Sequence, residues 1–299
     1  MISQSVARGN PAVTQTAVKR HGSGILGISA MEIRKLIRRP MTWVIFGLPA
    51  ALGAAWFPIA YLISRAQGSL ASLGPHLFPP GYIENTFAVL TMLGTICVAV
   101  LAASVVGSEY GWGTIRVLIG TGAPRARLLG GKVVALAVAV AAWIVTSFAA
   151  VTLSSIVVTA LSGHAVSFGN ADAAWFGQLG LMFGRTWLVL EAWLAIAVAA
   201  SVVGRSLAAG IAVPIVWQVV ETVLSAVAPL AGNLGTRISE LLIAVSARTF
   251  EIHDTFGTPR LVPGAISETH ALLVLAGYVV VMLALAFLVF VRRDYTASA

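Results

Sequence analysis

Six stretches of this 299-residue chain are each apolar for long enough to cross a bilayer, and few folds survive that constraint. A helix needs about 20 such residues to span the hydrocarbon core, because lipid offers its backbone groups no hydrogen-bond partners. The runs 43–63, 84–106, 133–161, 186–203, 207–231 and 270–291 reach that length. Only 10% of residues are charged, against 58% hydrophobic. Soluble domains carry about 25% charged residues, so this chain lacks the polar surface to enclose a globule. The expected fold class is an all-α integral membrane protein with six transmembrane helices. Pro49 and Pro58 in the first span and Pro214 in the fifth should kink their helices, with neighbouring helices satisfying the freed carbonyls. The fourth span is the least regular, with Arg185 and Glu191 near its start, and Gly204-Arg205-Ser206 leaves room only for a tight turn into the fifth.

The net charge of +8 is spread along the flanks of the apolar runs instead of forming one stripe, which argues against nucleic acid as a partner. It reads as a topology signal. With the N-terminus inside, the outer segments hold Arg65, Arg185, Arg237, Arg248 and Arg260, and the other fourteen of the 19 Lys and Arg residues are inside. Six spans then return the C-terminus to the inside, where Arg292 and Arg293 stop transfer. Both termini are expected in the cytoplasm, with the cytoplasmic membrane of a bacterium as the location. Cys97, the single cysteine, lies inside an apolar run and reads as a small buried hydrophobe.

Residues 1–24 are polar, rich in Gly, Pro and Ser, and contain no apolar core of a cleavable signal; they read as a flexible tail. Residues 25–40 follow as an amphipathic segment. Ile28, Met31, Ile33, Leu36 and Ile37 approximate one helical face, and Arg34, Lys35, Arg38 and Arg39 supply the cationic remainder, with Glu32 among them. Such a helix is expected to lie among the lipid headgroups and to be turned into the membrane at Pro40. The six-helix domain then occupies 41–294.

The most informative inner segment is 107–132. It contains Glu109, Tyr110, Trp112, Gly113-Thr114, Ile115, Arg116, Leu118, Pro124-Arg125 and Gly131-Lys132. It reads as a short helix ending near Gly120, with Thr114 available as a cap, then a turn through Pro124 and a restart into the third span. Glu109 is expected at the membrane edge, where its charge stays solvated. A phosphate-binding loop is excluded, because Ala126 stands at the first glycine position and Val133 where Ser or Thr is required.

At these positions the sequence resembles the membrane subunits of ABC-2-type (type V) ABC transporters. That pattern has Glu at the inner end of the second span, then Gly-Thr, an apolar stretch, Pro with Arg, and Gly-Lys opening the third span. Glu109, Gly113-Thr114, Val117-Leu118-Ile119, Pro124-Arg125 and Gly131-Lys132 match it. The likeness extends to the amphipathic helix bearing Glu32, Arg34, Arg39 and Pro40, and to the long outer segment between spans five and six. It implies a permease forming the translocation pathway as a dimer, homomeric or heteromeric, with a second permease copy. Two copies of a separate ATPase would bind the 107–132 coupling helix and the underside of the 25–40 helix. It further implies that ATP and Mg bind that partner and no cofactor binds this chain. Trp112, Ile115, Arg116 and Leu118 would form the adhesive surface of the coupling element; Trp and Arg are favoured binding anchors.

Glu191 and Glu221 fall within spans four and five, where an unpaired charge costs about 3 kcal/mol. Each could line a translocation path, with Gln218 sharing the network of Glu221, or serve structure by a hydrogen bond or by pairing with Arg185 or Arg205. An ion-coupled secondary transporter or a membrane-embedded enzyme using these carboxylates is the alternative function. Residues 232–269 are too long for a simple connection. Their 238–247 stretch suits a short helix dipping into the outer leaflet, and the resemblance implies part of an outer gate. Glu251, His253 and Asp254 are too few and too isolated to argue for a metal. Trp43, Trp56, Trp175, Trp187 and Trp193 include candidate interface anchors.

Overall fold

A computed structural model describes residues 24–69, 76–113, 124–169, 171–253 and 266–293. All regular structure among them is helical, and six helices are long and apolar enough to cross a membrane. Helix α1 (Ile25–Arg38) precedes α2 (Pro40–Ala66). Helix α3 (Tyr82–Ala102) continues through a π-helical turn (Ala103–Gly107) into the single turn α4 (Ser108–Gly111). Helices α5 (Arg125–Leu161), α6 (Ala173–Gly204) and α7 (Leu207–Val227) follow. A 3-10 turn (Ala228–Ala231) leads to two short helices, α8 (Gly232–Ser239) and α9 (Ile243–His253), and α10 (Glu268–Arg292) ends the described chain.

Each expected span coincides with a helix; α7 stops at Val227, four residues short of the fifth run, and most of the others overrun the apolar run that predicted them. The largest difference is in the fourth, where the helix starts at Ala173 and not near 186. Asp172 starts it by accepting a hydrogen bond from the Trp175 amide at 2.8 Å, a cap that apolar counting does not weigh. The expected helix over 238–247 is instead two helices broken at 240–242.

Helix α6 is the centre of the bundle, with 72% of its apolar window buried against 22% for α2, 17% for α7 and 11% for α10. It packs on α10, α7 and α3, while α2 and α1 both lie along α5. The prolines act as their chemistry requires. Arg39 is extended before Pro40, separating α1 from α2. Pro58 has no N–H to offer the Ala54 carbonyl, and Ser154 Oγ of α5 donates to that oxygen at 2.5 Å instead. One turn earlier, a Cβ on Gly53 would meet Val151 at 3.0 Å, so α2 and α5 are in direct contact there.

The turn between α6 and α7 is as tight as its three residues demand. Arg205 has φ +48°, Ser206 accepts from the Ala209 amide at 3.1 Å, and Arg293 donates to the Val203 carbonyl at 2.9 Å. Gly107 abuts this turn: a Cβ there would lie 2.7 Å from Leu207 Cα.

Candidate functional site

Two of the residues that frame the 107–132 segment come together in space. Lys132 Nζ donates to Glu109 Oε1 at 2.5 Å and lies 3.2 Å from Glu32 Oε1, and Lys35 Nζ is 2.6 Å from the same Glu32 oxygen. Glu32, Glu109 and Lys132 are each no more than 6% exposed. Two carboxylates and two ammonium groups therefore form a neutral, mostly buried cluster that joins α1, α4 and α5. Removing one partner from such a set leaves an uncompensated buried charge, which is the costly case.

Local sequence explains how the cluster assembles. Gly131 has no side chain, and the space a Cβ would take is filled by Ile28 of α1. That contact seats α1 directly on α5. Glu32 is one helical turn beyond Ile28 on the same face and so meets Lys132. Burial opposes ionisation of Glu32, but Lys132 and Lys35 together outweigh it and hold its carboxyl below its ordinary 4.5. A second tether runs from Arg39 Nη1 to the Ser104 carbonyl at 2.8 Å, an oxygen that Ser108 Oγ also reaches at 2.6 Å. Ser104 lies in the π-helical turn, where the ordinary helical hydrogen-bond ladder is interrupted.

Two expectations are corrected. Glu109 is not solvated at the membrane edge, because Lys132 satisfies it in the interior. The face α1 turns to the bundle is Ile28, Ser29, Glu32 and Leu36, whereas Met31 and Ile37 are about half exposed. Arg34 and Arg38 are exposed as a cationic face requires. Tyr110 packs half-buried against the core. Trp112 is 71% exposed at the end of α4, and Gly113 follows with φ +67°. Thr114, Ile115, Arg116 and Leu118 lie outside the described residues, as does the turn to Gly120. Pro124 immediately precedes α5, and Arg125 donates to the carbonyls of Val291 and Arg293 at 2.9 and 2.8 Å, binding the ends of α5 and α10 together.

The intramembrane carboxylates separate into two kinds. Glu221 is fully buried and accepts three hydrogen bonds: from Trp217 Nε1 at 2.9 Å, the Ile243 amide at 3.2 Å and the Ala244 amide at 2.9 Å. It caps the first turn of α9 from a neighbouring helix. Gln218 is not part of that set; its Oε1 is 3.3 Å from Thr95 Oγ1. Glu191 is 7% exposed, and its Oε1 has no hydrogen-bond partner among the described residues. Arg185 pairs with Glu268 of α10 at 2.5 Å, and its guanidinium sits 5.7 Å from the Phe250 ring centre of α9. Sequence reasoning missed this link, since Arg185 and Glu268 lie on the fourth and sixth long helices with no local pattern between them. Of the five tryptophans named as candidate anchors, Trp193 is buried in the core and is no interface anchor, while Trp43 and Trp56 are the most exposed. Among the described residues no three His, Cys, Asp or Glu side chains converge as a metal site; Asp254 is outside them.

A family model described as Protein of unknown function (DUF2705) matches residues 54–296. The chain belongs to this family. No curated protein matches the chain significantly. The DUF2705 match includes Glu109 and Lys132 but begins after Glu32 and Lys35, so α1 contributes half of the charge cluster from outside the matched stretch.

Proposed function

We propose that this chain is the membrane-spanning permease of an ABC exporter in the bacterial cytoplasmic membrane, paired with a second permease copy and driven by a separate ATPase. The observation that carries the reading is the buried cluster of Glu32, Lys35, Glu109 and Lys132. Force applied to the 107–132 segment by a soluble partner must reach the spans through something stiff. Closely packed ion pairs joining α1, α4 and α5 supply that stiffness, and the exposed Trp112 presents a large apolar contact just beyond them. In this reading both termini are cytoplasmic, and the ATPase docks on the 107–132 segment and on α1.

The test is co-purification with an ABC-type ATPase, sought first among the products of neighbouring reading frames, comparing the native chain with a Trp112→Ala, Arg116→Ala double variant. The native chain should retain the ATPase through affinity capture and the variant should lose it. Equal capture by both, with normal assembly of the membrane domain, refutes the assignment of the coupling element. The partnerless Oε1 of Glu191 favours a second reading, an ion-coupled transporter. Transport that persists without ATP and disappears in Glu191→Gln would select it.

A further inference from the structure

A cavity of about 770 Å³ lies between α2 and α3, within the usual range for small-molecule sites. Its walls include Leu52, Trp56 and Ala60 of α2 and Val89 and Leu93 of α3, with Val151 of α5 at its floor. Along α2 it extends from Pro49 to Ser64, about 22 Å of helix rise. Leu52, Trp56 and Val89 are each more than 40% exposed, so the cavity opens sideways to the bilayer.

Its shape is held by polar tethers to one segment of α5. Ser154 Oγ holds α2 through the carbonyl freed by Pro58, and Thr152 Oγ1 holds α3 by accepting from the Tyr82 hydroxyl at 2.7 Å. Ser155 Oγ holds the chain before α3 by donating to the Leu77 carbonyl at 2.7 Å. Both walls are thus fixed to the floor and cannot simply collapse together. Polarity is confined to the end near the outer termini of α2 and α3, where His76 and Asn85 line the cavity. Neither side chain makes a hydrogen bond within the described residues.

We infer that this groove is a binding site for a phospholipid of the surrounding bilayer, with one acyl chain lying along α2 and the headgroup meeting His76 and Asn85. The gradient from an apolar trough to a polar mouth matches an amphiphile lying parallel to the helices. A second protein copy covering the groove is a separate outcome, which the test below distinguishes. The inference is independent of the coupling reading, since it concerns the outer half of the bundle and no ATPase.

The test uses the full chain in nanodiscs containing phosphatidylethanolamine with a diazirine in one acyl chain. After irradiation, adducts are mapped by mass spectrometry. Adducts should concentrate on the α2 and α3 walls over the lipid-facing Val280 and Val281 of α10, which are 66% and 60% exposed. Ala60→Phe, which fills the trough, should abolish the wall adducts while those at Val280 persist. Leu52→Trp, at the exposed lateral opening, should do the same without disturbing the core. Wall labelling no greater than at Val280, or unchanged in both variants, overturns the inference. So does efficient disulfide cross-linking of two copies through Trp56→Cys in a Cys97→Ser background, which would show that protein covers the groove.

Discussion

Replacing Lys132 with Met tests the charge cluster directly, because Met keeps the aliphatic length and removes only the ammonium. At an effective dielectric of about 20, an ammonium 2.5 Å from one carboxylate and 3.2 Å from another gains about 7 and 5 kcal/mol of gross Coulomb energy. Most of that offsets the cost of desolvating a side chain that is 4% exposed. The net loss on truncating one member of a buried pair is about 3–5 kcal/mol. The lower end applies here, because Glu32 keeps Lys35 at 2.6 Å. At about 2–4 °C per kcal/mol, the midpoint should fall by at least about 6 °C at pH 7. Tryptophan fluorescence during heating of the chain in nanodiscs reads this out. Adding Glu109→Gln to Lys132→Met should restore part of the loss, since the second change removes the charge left without its cation. A Lys132→Met midpoint within about 1 °C of the native chain, or a double variant no better than the single one, would refute the claim that these ion pairs hold α1, α4 and α5 together.

Ser154→Ala should cost about 1–3 kcal/mol by leaving the Ala54 carbonyl without a donor, and Pro58→Ala should suppress that cost by restoring the helical N–H; a double-mutant cycle in thermal stability checks both. Glu221→Leu should free the start of α9 and destabilise by about 3 kcal/mol or more, with Glu221→Gln milder because it keeps an acceptor; proteolysis between 232 and 253 reads the local effect. Gly107→Ala should cost about 1–3 kcal/mol, because the intruding methyl meets the backbone of Leu207 and Ser206, which cannot rotate away; thermal midpoints measure it. Because the folded-state pKa of Glu32 is depressed, its contribution is complete above its ordinary 4.5 and is lost as pH falls through the lowered value; native midpoints should therefore drop more steeply on acidification than those of Glu32→Gln.

The spans were legible because the bilayer imposes one requirement on every residue in them, and composition alone meets it. Helix starts were less legible, since they depend on single polar atoms: Asp172 starts α6 more than ten residues before its apolar run does. The 107–132 segment was legible as a pattern but not as a structure. Its ends, Glu109 and Lys132, are separated by 23 positions, and nothing local predicts that they share a proton-bearing bond inside the bundle. The deciding residue is Gly131, which looks like half of a phosphate-loop remnant in sequence and acts as the seat for Ile28 in space. Glu32 stands among cationic residues of its own helix, and its contact with Lys132 of α5 has no local signal either. The two intramembrane glutamates show the same limit. Hydropathy flags both equally, yet Glu221 is consumed by three donors on two elements while Glu191 keeps an oxygen without a partner. A carboxylate that holds two backbone amides of α9 cannot also exchange an ion without loosening α9. Of these two carboxyl groups, Glu191 is therefore the one free to act in transport.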